Sequence, residues 1–212
     1  MPYSLQSAQF VLAAHRLSQL PADTGAEVAF AGRSNAGKSS ALNVLTNHKG
    51  LARTSRTPGR TQQMVVFGLS PPPRSGDQAP LELRLIDLPG YGYAKVPLAM
   101  REHWKVEIDA YLHQRRSLRG LVLIVDSRHA LKEFDRTMLE FCAGTRLPCH
   151  LLLTKADKLS RGQAAQALAA LRQQLVNESL PATTQIFSAS AGTGVEEARR
   201  AVIDLLLAAP SP

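Results

Sequence analysis

Residues 32–39 read GRSNAGKS, a G-x-x-x-x-G-K-S pattern that follows an apolar run and opens a helical one. A loop of this kind wraps backbone N–H groups around a phosphate. Gly32 and Gly37 let the chain approach without Cβ clashes, and the start of the helix adds partial positive charge. Lys38 then reaches the β- and γ-phosphates of a nucleotide, and the Ser39 hydroxyl is a ligand for Mg²⁺. Arg33, Ser34, Asn35, Ala36 and Ser40 complete the cradle.

Residues 87–90, DLPG, follow the apolar stretch LELRLI. Asp87 at the end of a strand can hold a Mg²⁺-bound water. Beyond Leu88 and Pro89, the amide of Gly90 can report the γ-phosphate. Between the two motifs, residues 51–62 (LARTSRTPGRTQ) are polar, basic and punctuated by Gly and Pro, the composition of a loop that is mobile without ligand. Of its hydroxyl side chains, Thr61 stands just before the next strand. It is the expected second Mg²⁺ ligand in the triphosphate state; the other reading is a plain loop threonine.

A base site is legible further along. Residues 154–157 read TKAD after the apolar run PCHLLL. The Asp157 carboxylate can accept from the N1–H and the 2-amino group of guanine together. Adenine has an acceptor at N1 and no 2-amino group, so the same carboxylate rejects it. The Lys155 stem can lie along the base plane, with Ala156 between the two. Thr154 stands where Asn is usual in such a motif; it keeps a hydroxyl for tying the loop and loses an amide. Residues 188–190 read SAS, and the Ala189 amide is placed to meet guanine O6, with Phe187 and Ser188 leading into it.

These motifs need a particular frame. Strand patterns at 27–31, 62–69, 81–86, 120–125, 148–153 and 183–187 alternate with helical patterns at 38–46, 98–114, 132–142, 160–177 and 194–207. Ser160 is placed to cap the fourth helix. The expected fold is α/β: a mainly parallel six-stranded sheet with one antiparallel edge strand and helices on both faces. Residues 70–80 (SPPPRSGDQAP) form a hairpin loop, since their Pro and Gly content excludes regular structure. We expect an N-terminal extension at 1–24 packing on one domain at 25–208, and a frayed tail at 209–212.

With 212 residues, 44% of them hydrophobic, the chain can bury one full core. Two cysteines make no disulfide framework, and a reduced cytoplasm is the simplest setting. The N-terminus lacks a signal-peptide pattern, and no apolar run approaches the roughly 20 residues of a membrane span, so no stable membrane association is expected. The net charge of +8 favours a polyanionic partner such as RNA, or an acidic membrane face; the other reading is a chain that is merely basic, and the clustering of the charges favours nucleic acid.

The segments GRSNAGKSS, LARTSRTPGRTQ, DLPGYGYAK and TKADKL, in this order, closely resemble the EngB family of bacterial GTP-binding proteins. The resemblance spans about residues 5–205. It implies a Ras-like P-loop GTPase fold, binding of GTP and GDP with Mg²⁺, slow GTP hydrolysis, and a role in assembly of the large ribosomal subunit, with cell division and septation attached. The family's Mg²⁺ ligands fall on Ser39 and Thr61. Its nucleotide contacts fall on residues 32–39, on Gly59, Arg60, Thr61, Gln62 and Gln63, on residues 87–90 and 154–157, and on Phe187, Ser188 and Ala189. In potassium-activated relatives a P-loop asparagine at the place of Asn35 helps hold K⁺; the other reading is a polar filler. We take the protein as a monomer.

Many GTPases place Gln after D-x-x-G to orient the attacking water, and here that residue is Tyr91. A phenol cannot copy a primary amide, so the catalytic group is unknown and hydrolysis waits for another group or a partner. Residues 91–95 (YGYAK) read either as a switch that packs on RNA or as a loop whose tyrosines pack locally. Arg53, Arg56 and Arg60 place cations in the nucleotide-sensing loop, whereas Arg115, Arg116 and Arg119 read more simply as cations at a helix end. A GTP-dependent ribosome assembly factor and a division switch acting through a protein partner are the two functional readings.

Overall fold

The computed structural model describes residues 3–52, 63–71, 81–91, 98–129 and 131–209, with side chains from Val106 onward in the helix that begins at 98. Seven strands form one sheet: β1 (Gln9–Ala14), β2 (Ala26–Gly32), β3 (Met64–Leu69), β4 (Leu83–Asp87), β5 (Leu118–Asp126), β6 (Cys149–Thr154) and β7 (Thr183–Ile186). Five helices accompany them: α1 (Lys38–Leu45), α2 (Leu98–Gln114), α3 (Glu133–Thr145), α4 (Arg161–Asn177) and α5 (Val195–Leu207). The sheet order is β1-β3-β4-β2-β5-β6-β7. Strands β4, β2, β5, β6 and β7 run parallel, and β3 is antiparallel to both of its neighbours.

The period of two along each central strand divides the core in two. Leu121, Leu123 and Val125 of β5 face Ile108, Leu112, Met138 and Leu139 of α2 and α3. Val122 and Ile124 face Leu42 and Leu45 of α1 and Val202 and Leu206 of α5. A strand buried on both faces reads as a continuous apolar run, which is why GLVLIV marks the centre of the sheet. The Ser160 hydroxyl accepts from the Gln163 amide at 3.3 Å, while the Gln163 side chain accepts from the Ser160 amide at 2.9 Å, closing the expected cap of α4 reciprocally.

The strand count of six is corrected to seven. Gln9–Ala14 lies within the expected N-terminal extension and pairs antiparallel with β3, so β3 is interior and β1 is the edge. A register shift between Phe10 and Leu12 leaves Phe10 and Val11 exposed, and such a bulge discourages further pairing at an edge. The hairpin loop expected at 70–80 lies outside the described residues from 72 on, as does the tail from 210; the antiparallel pair β3–β4 that the loop joins is present.

A buried polar cluster ties the chain at 21–24 to the far end of the sheet. Glu27 is fully buried and accepts from Arg84 Nε at 2.8 Å, from the Arg115 guanidinium at 2.6 and 3.0 Å, and from the Tyr111 hydroxyl at 3.2 Å. Arg115 also donates to the Pro21 carbonyl at 2.9 Å, and Arg84 to the carbonyls of Ala22 and Thr24. Arg115 is therefore an internal cation, and residues 115–119 do not make a continuous basic surface. Glu27→Ala leaves two buried guanidinium groups without their carboxylate. It should cost about 3–5 kcal/mol in urea unfolding, and a loss under about 1 kcal/mol would contradict the cluster's role.

Candidate nucleotide site

Parallel pairing brings the carboxyl ends of four strands to one edge. Phe30 stands opposite Asp87, Gly32 opposite Ile124, and Asp126 opposite Thr154. Gly32 is required there by space: a Cβ would stand 2.8 Å from the Ile124 carbonyl oxygen. The chain then turns through Arg33, Ser34, Asn35 and Ala36 to Gly37, whose φ of +104° caps α1 in a conformation few other residues adopt. The first-turn amides of α1 point at this edge without intrahelical acceptors.

Lys38 and Asp87 are in direct contact as a nearly buried ion pair at the junction of α1 and β4. Ser39 follows Lys38 in the first turn and is half-buried, with Ser40 exposed beside it. The D-x-x-G segment is held to the P-loop by backbone. The Leu88 amide donates to Phe30 O at 3.0 Å, the Ser34 amide donates to Tyr91 O at 2.8 Å, and the Tyr91 amide donates to Gly32 O at 3.4 Å. Leu88 and Pro89 are buried, and Gly90 packs over the Ser34 backbone.

Tyr91 is buried against the start of α3. Its hydroxyl donates to Asp135 at 2.6 Å, and its ring stacks on Phe134 with centroids 4.2 Å apart. The other oxygen of Asp135 accepts from the Lys132 amide at 2.9 Å and caps α3. Burial, followed by the Asp135 carboxylate, pushes the Tyr91 phenol well up, so it remains a donor. For Tyr91 the local-packing reading is the one the structure supports; residues 92–95 lie outside the described residues.

The base motif sits on the other flank. Thr154 Oγ1 lies 2.5 Å from Ala36 O and 3.1 Å from Val125 O, so its hydroxyl ties the motif to the P-loop. Lys155 adopts φ +58° and donates to Asn35 O at 2.6 Å. The Ala156 amide donates to Phe187 O at 3.2 Å, which joins the two base loops. Asp157 accepts from the Ser188 hydroxyl at 2.6 Å and pairs with Lys158 at 3.1 Å. The Ser188 hydrogen bond, with Lys158 second, pulls its carboxyl down to about 2, so it is an ionised acceptor across the physiological range. Phe187 and Ser188 are fully buried and support the loop, while Ala189 is half-exposed. Gly37, Lys155, Asp157, Phe187 and Ala189 line a cleft of about 590 Å³, enough for a purine base.

Of the sequence-predicted contacts, the P-loop, 87–90 and the two base loops converge on this edge. Gly59, Arg60, Thr61 and Gln62 lie outside the described residues, as do Arg53 and Arg56. Gln63 is described, and its side-chain amide meets His15 Nε2 at 2.9 Å just beyond β1. Sequence reasoning missed Asp126, which ends β5, and Asp135, in the first turn of α3; neither belongs to a recognised motif.

A family model described as 50S ribosome-binding GTPase matches residues 27–155. A protein named probable GTP-binding protein EngB from Stenotrophomonas maltophilia strain K279a is 52% identical over 200 residues, covering 94% of this chain and 95% of the relative. A protein of the same name from Xylella fastidiosa strain 9a5c is 52% identical over 198 residues, 93% of each. Among solved structures, a probable GTP-binding protein engB aligns with TM-score 0.61 and 22% identity over 85% of this chain and 98% of that one. A bacterial selenocysteine-specific elongation factor aligns with TM-score 0.59 and 21% identity, over 86% of this chain and 29% of that one. At these identities the structural likenesses establish a shared fold.

Proposed function

The chain belongs to the EngB family of GTP-binding proteins, and on that premise we propose that it binds GTP and GDP at the edge just described and hydrolyses GTP slowly in assembly of the large ribosomal subunit. The observation that carries the nucleotide reading is the convergence of Lys38, Ser39 and Asp87 with Asp157 and Ala189 along the carboxyl ends of one sheet. The phosphates lie on the P-loop and the first turn of α1, where Lys38 exchanges part of its contact with Asp87 for phosphate oxygen. The base enters the cleft, with its N1–H and 2-amino group on Asp157 and O6 at the Ala189 amide.

Mg²⁺ fits the donors present. The Ser39 hydroxyl and the Asp87 carboxylate are hard oxygens at the Lys38 end of α1 and would hold the ion, Asp87 by way of a bound water, with Thr61 added in the triphosphate state. When bound, the ion neutralises charge on the β- and γ-oxygens. Asn35, exposed with φ +62°, reads either as a K⁺ ligand beside the phosphates or as a polar filler. The reading of slow turnover is supported by Tyr91, whose hydroxyl is engaged by Asp135, so that orienting the water falls to another group or to a partner.

The ribosomal reading draws on the described function of the matching family model, on the net charge of +8, and on Arg53, Arg56 and Arg60 in the segment that the γ-phosphate would order. We take the nucleotide-binding domain as 25–208, acting as a cytoplasmic monomer. A division and septation switch working through a protein partner is the alternative. Among the described residues no helix is long and apolar enough to cross a membrane.

Asp157→Asn should weaken GTP roughly 10- to 150-fold, the equivalent of about 1.5–3 kcal/mol. It should also favour xanthosine triphosphate, which carries a carbonyl where guanine has its amino group. Competitive titration of both nucleotides measures this, and unchanged GTP affinity would refute the base assignment.

The GTP-analogue form should co-sediment with large ribosomal subunits more than the GDP form does. Replacing Arg53 and Arg56 by Gln should weaken that binding and flatten its salt dependence by somewhat under one log unit per lost contact, with GTP affinity nearly intact. Binding that ignores the nucleotide, or a double variant that binds like the wild type at every salt concentration, would move the ribosomal surface elsewhere.

A further inference from the structure

Asp126 closes β5 in register with Thr154, the first residue of the base motif. Its side chain is nearly buried, and each of its oxygens is engaged. Oδ1 accepts from the Arg128 amide at 3.1 Å and from Arg128 Nε at 2.9 Å. Oδ2 accepts from the Arg128 guanidinium at 2.7 Å and from Lys155 Nζ at 2.9 Å. That ammonium also donates to Asn35 O at 2.6 Å, so one lysine bridges a carboxylate on β5 and a carbonyl in the P-loop.

We propose that Asp126 is a positioning residue for nucleotide binding, acting through Lys155 to lock the base motif onto the P-loop. The proposal rests on the nucleotide reading above and adds to it a residue that none of the recognised motifs contains. An ammonium on a four-carbon stem has many rotamers, and holding one of them costs entropy at each binding event unless it is already fixed. Asp126 fixes it before the nucleotide arrives. The lysine then fixes the Asn35 carbonyl, in a residue held at φ +62° where a side chain other than glycine is uncommon. The need is greater here because Thr154 offers the P-loop one hydroxyl proton, shared between Ala36 O and Val125 O. Burial works to raise the Asp126 carboxyl, yet Arg128 and Lys155 outweigh it and hold the group well below the ordinary carboxylate range, so the clamp stays charged in ordinary buffers.

Because the clamp joins base loop to phosphate loop, its loss should affect GDP and GTP alike. Asp126→Asn keeps an acceptor for the Arg128 amide and removes the charge facing Lys155. It should weaken GDP about tenfold, a loss of roughly 1.4 kcal/mol. A double-mutant cycle with Lys155→Met separates positioning from structure: in the Lys155→Met background, Asp126→Asn should cost no more than about twofold. Full additivity in the cycle, or no loss in the single variant, overturns the proposal. In wild-type protein labelled with ¹⁵N-lysine, the Lys155 ammonium should give a resolved, slowly exchanging signal; an averaged signal would overturn the clamp without any variant. Failure of the wild type to bind GDP would instead defeat the nucleotide reading itself.

Discussion

Parallel pairing is the constraint on which the rest depends. Strands β4, β2, β5, β6 and β7 all end at one edge, and the chain leaves each of them with a residue that can do chemistry: Asp87, Gly32, Asp126, Thr154, and Ser188 shortly after β7. In open sheets of this kind ligands bind outside the carboxyl ends of the strands. The two apolar layers that hold the strands in register are split by the alternation within β5. A one-residue slip there would exchange the faces and dismantle the edge.

Within that frame, the loops are held by few and specific tethers. On the phosphate flank the P-loop and the D-x-x-G segment share backbone hydrogen bonds, and Tyr91 extends the connection to α3 through Asp135 and Phe134. On the base flank Thr154 and Lys155 reach back to the carbonyls of Ala36 and Asn35. Both flanks therefore meet in the P-loop, and Tyr91 continues the contacts of the phosphate flank to α3. At the opposite end of the sheet, Glu27 with Arg84 and Arg115 fastens the incoming chain and leaves the functional edge free of that structural charge.

Much of this was legible in the sequence because it is local. G-x-x-x-x-G-K-S, DLPG and TKAD each carry their chemistry within a few residues, and the strand runs around them are long and apolar. What was not legible depends on contacts between distant segments. Strand β1 sits in a short, polar-flanked stretch, and only the presence of β3 as an otherwise open edge makes it a strand. Arg115 looked like a helix-end cation until Glu27, 88 residues away, was placed against it. Tyr91 stood where water-orienting chemistry was sought, and its partner Asp135 lies 44 residues on. Asp126 has no motif of its own and gains its meaning from Lys155.

The central claim is a single guanine-nucleotide site along this edge. Isothermal titration of the wild-type chain with GDP and with ADP, in the presence of Mg²⁺, tests it most directly. The account predicts one GDP per chain and ADP at least about 100-fold weaker, since adenine cannot satisfy the ionised Asp157. ADP binding within a factor of about ten of GDP, or no GDP binding, would contradict it.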